Sequence, residues 1–378
     1  MDTKTLHITG TQALMLHRAA RVGEIVRAVP ADVHTIAPPP LRAQTIDELG
    51  LTRLTEWLAV TGENPLHVLS PSADQRCRTA LVRSQVMRHE LPSGSFLELT
   101  AGNDAKKSLV PSSDIRVIID APPLILTNMS QELSEMIHKG KIDELEARLR
   151  LIALGNELCG SYARDPFNPQ VGHCHYDGIG ECNRFFAPDE VRTTLSQMSG
   201  MKGVGRARHA SQYILDHSGS PMETYIDMAL FLPPRLGGLG MPTPLLNKML
   251  NVPKETLAEL KHASIRPDIQ WPDFSTLAEY LGDKEHASKK ARIEDKNRGQ
   301  DYTTAGYASF FLMFDDVSNQ NALNDTAKML AGTLEARGAT NALKRFERTH
   351  SKKGFIEKQT RLVATLLPPI TRYDEGGY

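Results

Sequence analysis

Apolar residues recur at helical spacing from Thr11 to Val22, where Ala13, Leu14, Leu16 and Ala20 share one side. Leu66 to Leu69 and Ser95 to Leu99 read as strands, the second entered through the Pro92-Ser93-Gly94 turn, and Val110 to Ile119 reads as another. Pro38-Pro39-Pro40 is a rigid break between them. Leu145 to Leu158 returns to helical spacing through Leu145, Leu149, Ile152, Ala153 and Leu158. Residues 165 to 183 are rich in Pro, Gly, Asn and Asp and read as a loop. A helix is expected from Arg206 to His217. A second should open at Ser220, with Ser220 as N-cap, Pro221 at the first helical position and Glu223 at capping-box spacing. Pro233 and Pro234 should end it. Short apolar strands follow around Asp268 and Glu279, then a polar helix from about Asp283 to Gln300. Ala308 to Phe314 reads as a third strand, Asn319 to Arg337 as a helix, and Thr340 to Leu366 as one or two more. The order helix, strand, strand, helix, strand, helix predicts an α/β sandwich at the C-terminus, behind an N-terminal α+β region. We place the boundary so that residues 1–195 and 196–378 are separate domains.

Composition changes this picture little. A chain of 378 residues is long enough for two or three domains. Its net charge of −1 means that any contact with nucleic acid must come from local patches. Four cysteines, Cys77, Cys159, Cys174 and Cys182, are too few for a disulfide framework in a chain of this length. The first residues are not followed by an apolar segment of signal-peptide type, and no run approaches eighteen apolar residues. A cytoplasmic protein with reduced thiols and no membrane contact is therefore expected.

The most informative chemistry is Arg266-Pro267-Asp268-Ile269-Gln270-Trp271-Pro272, followed by Ala278-Glu279-Tyr280-Leu281-Gly282 and His286. Asp268 and Glu279 are eleven positions apart, each on a short apolar strand, so a tight turn would bring their carboxylates side by side. Hard cations such as Mg²⁺ take carboxylate oxygens held in this way. The pattern resembles the metal-binding core of PD-(D/E)XK nucleases, most of all the very-short-patch-repair endonuclease branch and related bacterial domains of unknown function. The resemblance spans roughly residues 205 to 335. Upstream, the chain resembles the N-terminal part of abortive-infection-type bacterial hypothetical proteins that carry such a domain.

The resemblance implies a restriction-endonuclease-like fold and a Mg²⁺ or Mn²⁺ site formed by Asp268 and Glu279. Glu223 would be a third oxygen donor and His286 the general base or water-orienting group. Each has a plainer reading: Asp268 as a turn residue after Pro267, Glu223 as a helix N-terminal acid, and His286 as a solvated histidine among Lys284, Glu285, Lys289 and Lys290. Arg298 either grips a phosphate or pairs with Asp295. One departure is clear. The family's motif ends on a lysine, or on an acid in the related domains, and here that position is Leu281, which neither ligates a metal nor orients water. Lys284 or Lys289 would have to reach in from the following helix.

Three further features were weighed. Cys159, His173, Cys174, His175 and Cys182 have zinc-ligand chemistry but lack a paired CxxC spacing, so reduced thiols and loop histidines are the alternative. The Gly200, Gly203 and Gly205 run lacks a GK[ST] ending and reads as a turn or hinge. Between Ala342 and Arg361, Lys344, Arg345, Arg348, Lys352, Lys353, Lys358 and Arg361 face only Glu347 and Glu357. That stretch is either a DNA-tracking surface or a solvated helix face. The expected function is metal-dependent hydrolysis of DNA phosphodiester bonds in defence or repair. The alternative is a catalytically lapsed module of the same fold that binds DNA or a protein partner in a toxin–antitoxin or defence system.

Overall fold

A computed structural model of the chain describes residues 4–31, 43–76, 78–104, 106–110, 115–169, 173–174, 182–262, 264–281 and 289–368, with main chain alone at 43–45, 78, 173–174 and 289–292. The protein is mixed α/β and divides into two units. Unit 1 comprises residues 1–143 and 161–214, and unit 2 comprises 144–160 and 215–378. The expected division at 195/196 differs in two places. One helix from the first half joins unit 2, and residues 196–214 stay with unit 1. Membership follows packing, which a linear boundary does not capture.

Unit 1 opens with strand β1 (Lys4–Ile8), helix α1 (Thr11–Val22) and β2 (Val26–Ala31). Two short helices, α2 (Ala43–Glu48) and α3 (Thr52–Trp57), precede β3 (Leu66–Ser70), β4 (Arg78–Thr79), β5 (Val82–Val86), β6 (Phe96–Ala101) and β7 (Ile115–Asp120). These strands form one mixed sheet in the order β2-β6-β7-β1-β3-β5-β4. Its centre is the parallel pair β1–β7, with Leu6 against Val117 and Ile8 against Ile119. Both strands are buried on both faces, which is why they read as continuous apolar runs rather than alternating ones. Helix α4 (Pro122–His138) starts directly after β7.

The ends of β1 and β7 are joined by a buried carboxylate, Asp120. It accepts from the Thr9 hydroxyl at 2.7 Å, the Gly10 N–H at 2.9 Å and the Asn128 amide at 2.9 Å, and it meets His7 Nε2 at 2.9 Å. Gly10 has φ of 71°, so only a residue tolerant of the left-handed region makes this turn without strain.

The chain then contributes α5 (Glu144–Cys159) to unit 2. It returns to unit 1 for the hairpin β8 (Ala163–Arg164) and β9 (His173–Cys174) and for helices α6 (Pro188–Gln197) and α7 (Val204–Ser211). Helix α7 is shorter than the expected Arg206–His217. Gly203, at φ of 87°, lies so close to the Thr127 carbonyl that an added Cβ would sit 2.5 Å from it.

Unit 2 continues with α8 (Pro221–Phe231), β10 (Leu245–Leu246), α9 (Lys254–Leu257), β11 (Ile269–Trp271), β12 (Thr276–Tyr280), α10 (Lys289–Thr304) and β13 (Ala308–Leu312). Helices α11 (Phe314–Val317), α12 (Gln320–Ala336), α13 (Ala342–His350) and α14 (Phe355–Leu366) complete it. Its sheet runs β10-β11-β12-β13, antiparallel except for the β12–β13 pair, which α10 links as a parallel crossover. Helix α8 starts as its sequence predicts: Ser220 Oγ accepts from the Glu223 N–H, Pro221 holds the first position, and Leu232 is the C-cap before Pro233. Leu250, Ile265, Leu277 and Tyr302 form a buried cluster between the sheet and α10. Among the described residues, no helix is long and apolar enough to cross a membrane.

Asp120→Ala should lower the stability of unit 1 by at least about 2 kcal/mol, because it leaves several donors buried without an acceptor. Urea unfolding followed by circular dichroism checks this. A shift in the first transition of less than about 0.5 kcal/mol would show that the network contributes little.

Candidate metal and active site

In unit 2, two elements bring acidic side chains to one place. The first is the sheet. In the β11–β12 register, Ile269 lies opposite Ala278, and one further step sets Asp268 opposite Glu279. Residues directly opposite in an antiparallel pair project to the same face. Asp268 itself precedes β11 rather than lying within it. Its carbonyl accepts from the Asn247 N–H at 2.9 Å, and its carboxylate accepts from the Tyr280 N–H at 2.7 Å.

The second element is α8. Almost every residue of this helix is buried: Tyr225, Ile226, Met228, Ala229 and Leu230 are core, and the Tyr225 hydroxyl donates to the Val317 carbonyl at 2.7 Å. Two acids interrupt that apolar surface, Glu223 and Asp227. Their spacing of four residues puts them on one side of the helix.

Glu223 is half-buried and firmly positioned. One carboxylate oxygen accepts from the Gly219 N–H at 2.8 Å and from the Asn247 amide at 2.6 Å. A Cβ on Gly219 would lie 2.9 Å from that oxygen, so the close approach needs glycine. Asn247 is thus a bridge: its main chain holds Asp268 and its side chain holds Glu223. Glu279 is 2% exposed and is held from α10. Arg298 Nη2 donates to it at 2.7 Å, and the Tyr302 hydroxyl donates to the same oxygen. Asp227 differs from the rest. It is 1% exposed, and among the described residues neither carboxylate oxygen has a hydrogen-bond partner.

The electrostatics follow from this crowding. Burial, and then the Asp268 charge, push Glu223 from its ordinary 4.5 up to about 8. Glu279 also moves up, through burial and then Asp268, although Arg298 and Tyr302 pull against the shift. Asp227 is raised well above the usual carboxylate range by burial and by the charges of Glu223 and Asp268. Glu223, Asp227 and Glu279 therefore each feel the Asp268 charge in poorly solvated surroundings.

Among the described residues, no group of three or more His, Cys, Asp or Glu side chains closes to metal-holding distance. The donor type of these four acids, the carboxylate oxygen, is the one that a hard divalent cation takes. All four side chains offer carboxylate oxygens, and both Asp227 oxygens lack a partner. Arg298, an expected phosphate contact or partner of Asp295, makes its ion pair with Glu279. His286, Lys284 and the Lys289 side chain lie outside the described residues. Leu281 follows β12 and donates its N–H to the Leu312 carbonyl at 2.8 Å. Lys344, Arg345, Lys352 and Lys353 are all exposed, while Phe346 and Thr349 turn inward from α13. Of the zinc candidates, Cys159 and Cys182 are buried free thiols, and the side chains of His173, Cys174 and His175 lie outside the described residues. No family model, curated protein or solved structure matches the chain.

Asp227, Asn247, Gly219 and Tyr302 are members of the site that sequence reasoning passed over. Asp227 left a signal: an acid one helical turn after Glu223 in a segment otherwise apolar. Asn247 and Gly219 left none, since they act through contacts between segments distant along the chain.

The raised Glu223 and Glu279 values set a stability slope. The folded state holds more protons than the unfolded one between pH 4.5 and about 8, so stability falls as pH rises through that window. With a chelator present, the melting temperature should decline across this range, and Glu223→Gln should flatten the decline. Asp227→Asn should raise the melting temperature near pH 8, because an amide cannot ionise and so removes the cost of a buried acid beside Glu223 and Asp268. A melting temperature for Asp227→Asn below wild type at that pH would count against the repulsion described here.

Proposed function

We propose that unit 2 is a metal-dependent endonuclease of restriction-endonuclease-like fold that hydrolyses DNA phosphodiester bonds. The observation that carries this reading is the convergence of Glu223, Asp227, Asp268 and Glu279 in one poorly solvated place, with both Asp227 oxygens unpartnered. Structural carboxylates in a protein interior are normally paired or hydrogen-bonded. A set kept together against its own repulsion is better explained by a cation that it takes up in use. The element order, helix α8 followed by β11, β12, α10 and β13, supports the restriction-endonuclease-like assignment.

Under this reading the four carboxylates would hold Mg²⁺ or Mn²⁺. Once bound, such an ion acidifies water and neutralises charge on a phosphate. The other residues have positioning tasks. Asn247 and Gly219 hold Glu223 at a set angle, and Arg298 and Tyr302 do the same for Glu279. His286 is the candidate to accept a proton from the attacking water, since its unperturbed pKa suits that task near neutral pH. Exposed Lys344, Arg345, Lys352 and Lys353 would track the phosphate backbone. A DNA substrate in defence or repair would place the protein in the cytoplasm.

A second reading has its own support. Arg298 already neutralises Glu279 in the protein, and Leu281 occupies the position where the resembled motif has a lysine or an acid. Both features suit a lapsed nuclease-fold module that binds DNA, or a protein of a defence system, without hydrolysis.

Plasmid, single-stranded DNA and RNA incubated with Mg²⁺ or Mn²⁺ separate the two. Wild type should nick or cleave at least one of them. Asp268→Ala should abolish cleavage, and His286→Ala should slow it by about 10²–10⁴-fold. Wild type inert on every substrate would leave the binding module as the surviving account.

Binding is tested apart from chemistry. Replacing Lys352 and Lys353 with Ala should weaken DNA binding for all sequences alike and reduce the salt slope by up to about two units. Fluorescence anisotropy across a salt titration reads this out. An unchanged slope would remove these helices from the interface.

A further inference from the structure

Unit 1 contains a cavity of about 720 Å³, within the range of small-molecule binding sites. It lies where β1 ends and α1 begins, beside strands β3 and β5. Thr9 and Gly10 border it at the first turn of α1, and Gly10 lends that turn no side-chain cap. The Asp120 network fixes this turn from beneath: its carboxylate holds the Thr9 hydroxyl and the Gly10 N–H. The parallel β3–β5 register sets His67 beside Arg83 and Leu69 beside Gln85, and all four line the cavity. Opposite them, α4 contributes Asn128, Gln131 and Glu132, and the Gln131 amide donates to the Lys202 carbonyl at 3.0 Å.

The lining carries four full cations, Arg76, Arg83, Arg88 and Lys202. Among the described residues, the side-chain cation of none of the four has an ion-pair or hydrogen-bond partner. The two carboxylates that line the same space are otherwise engaged. Glu132 accepts from the Thr11 hydroxyl at 3.2 Å, and Glu135 pairs with Lys139 at 3.9 Å. Two neighbours shift in this lining: burial, and then Glu135 against the Thr11 hydrogen bond, leave Glu132 above the usual carboxylate range. Burial, and then the Arg83 charge, hold His67 below the usual imidazole range. Uncompensated cations gathered around a concavity favour a polyanion, and arginine suits phosphate oxygens in particular. Leu69, Met87, Leu91 and Leu124 add apolar surface beside the amides of Gln85, Asn128 and Gln131. A ligand that matches has several negative charges, a flat apolar body and hydrogen-bonding edges.

We infer that this cavity of unit 1 is a binding site for a nucleotide, with Arg76, Arg83, Arg88 and Lys202 taking its phosphates and Leu69, Met87, Leu91, Leu124 and Gln85 lying beside its base. The same chemistry is offered by a free nucleoside polyphosphate and by a few nucleotides of a single strand. The inference does not depend on whether unit 2 cleaves DNA.

Isothermal titration calorimetry of the full chain at low salt, with ATP, AMP and a short single-stranded oligodeoxynucleotide as separate probes, tests it. Binding of ATP in preference to AMP and the oligonucleotide identifies a free polyphosphate. Tighter binding of the oligonucleotide identifies a strand. In either case Arg83→Glu combined with Arg88→Glu should weaken binding at least about tenfold, since two charge-assisted contacts become repulsive. Both side chains are exposed, so the melting temperature should stay at the wild-type value. If that double variant melts early, Lys202→Glu on the opposite wall provides the same reading. The inference is overturned if no probe binds, if the folded variants bind as wild type does, or if Lys352→Ala with Lys353→Ala abolishes binding and the unit 1 variants leave it intact.

Discussion

Burying like charges together is the constraint on which unit 2 depends. Moving a carboxylate out of water carries a large desolvation cost, and a second one nearby adds repulsion. At the candidate site unit 2 buries two, Asp227 and Glu279, with half-buried Glu223 and Asp268 beside them. It does so by embedding Glu223 and Asp227 in a helix whose remaining surface is core, and by clamping that helix through Tyr225 to the Val317 carbonyl. The central strand pair at whose end Asp268 and Glu279 lie is anchored by Leu277 against Tyr302 and by Trp271, whose indole donates to the Pro242 carbonyl at 2.8 Å. Apolar packing on both sides holds the acids where solvation alone would drive them apart.

Two aspartates show how differently the fold treats a buried acid. Asp120 and Asp227 are equally buried, at 0% and 1% exposure. Asp120 is saturated by donors from β1, the turn after it and α4, so it behaves as a rivet. Asp227 has no donor among the described residues. A rivet gains stability from being charged in place. An unsatisfied acid loses stability in the same state, and natural proteins keep such residues where activity requires them. The argument for a site in unit 2 rests on this difference more than on the spacing of any motif.

The two units also distribute charge in opposite ways. Unit 2 concentrates acids inside and leaves Lys344, Arg345, Lys352 and Lys353 outside. Unit 1 turns Arg76, Arg83, Arg88 and Lys202 toward a concavity whose acids are already engaged. A net charge of −1 hides both arrangements, because they cancel in the sum. Local fields decide which ions each face attracts.

Much of the frame was legible along the chain. Helix α1 spans Thr11–Val22 as its apolar spacing requires, α8 starts at the Ser220-Pro221 signal, and α12 starts after the Asn319 cap. These are local matters of hydrogen bonding and side-chain period. Asp268 and Glu279 stood out as candidates because their spacing implies two apolar strands and a turn, and Glu223 because it matches the helix acid of the resembled family. The sequence could not assign Arg298, since Asp295 and Glu279 are both within reach of a long side chain and only the packing of α10 against β12 chooses between them. Nor could it reveal Asn247 as a bridge, the exchange of α5 between units, or the cavity of unit 1, whose cations come from β5, its flanking turns and the loop after α6. Sequence by itself determined where helices begin and which acids sit in apolar surroundings, because those depend on adjacent residues. Tertiary structure alone decided which charges meet and which are left without a partner, because that depends on segments brought together only when the core closes.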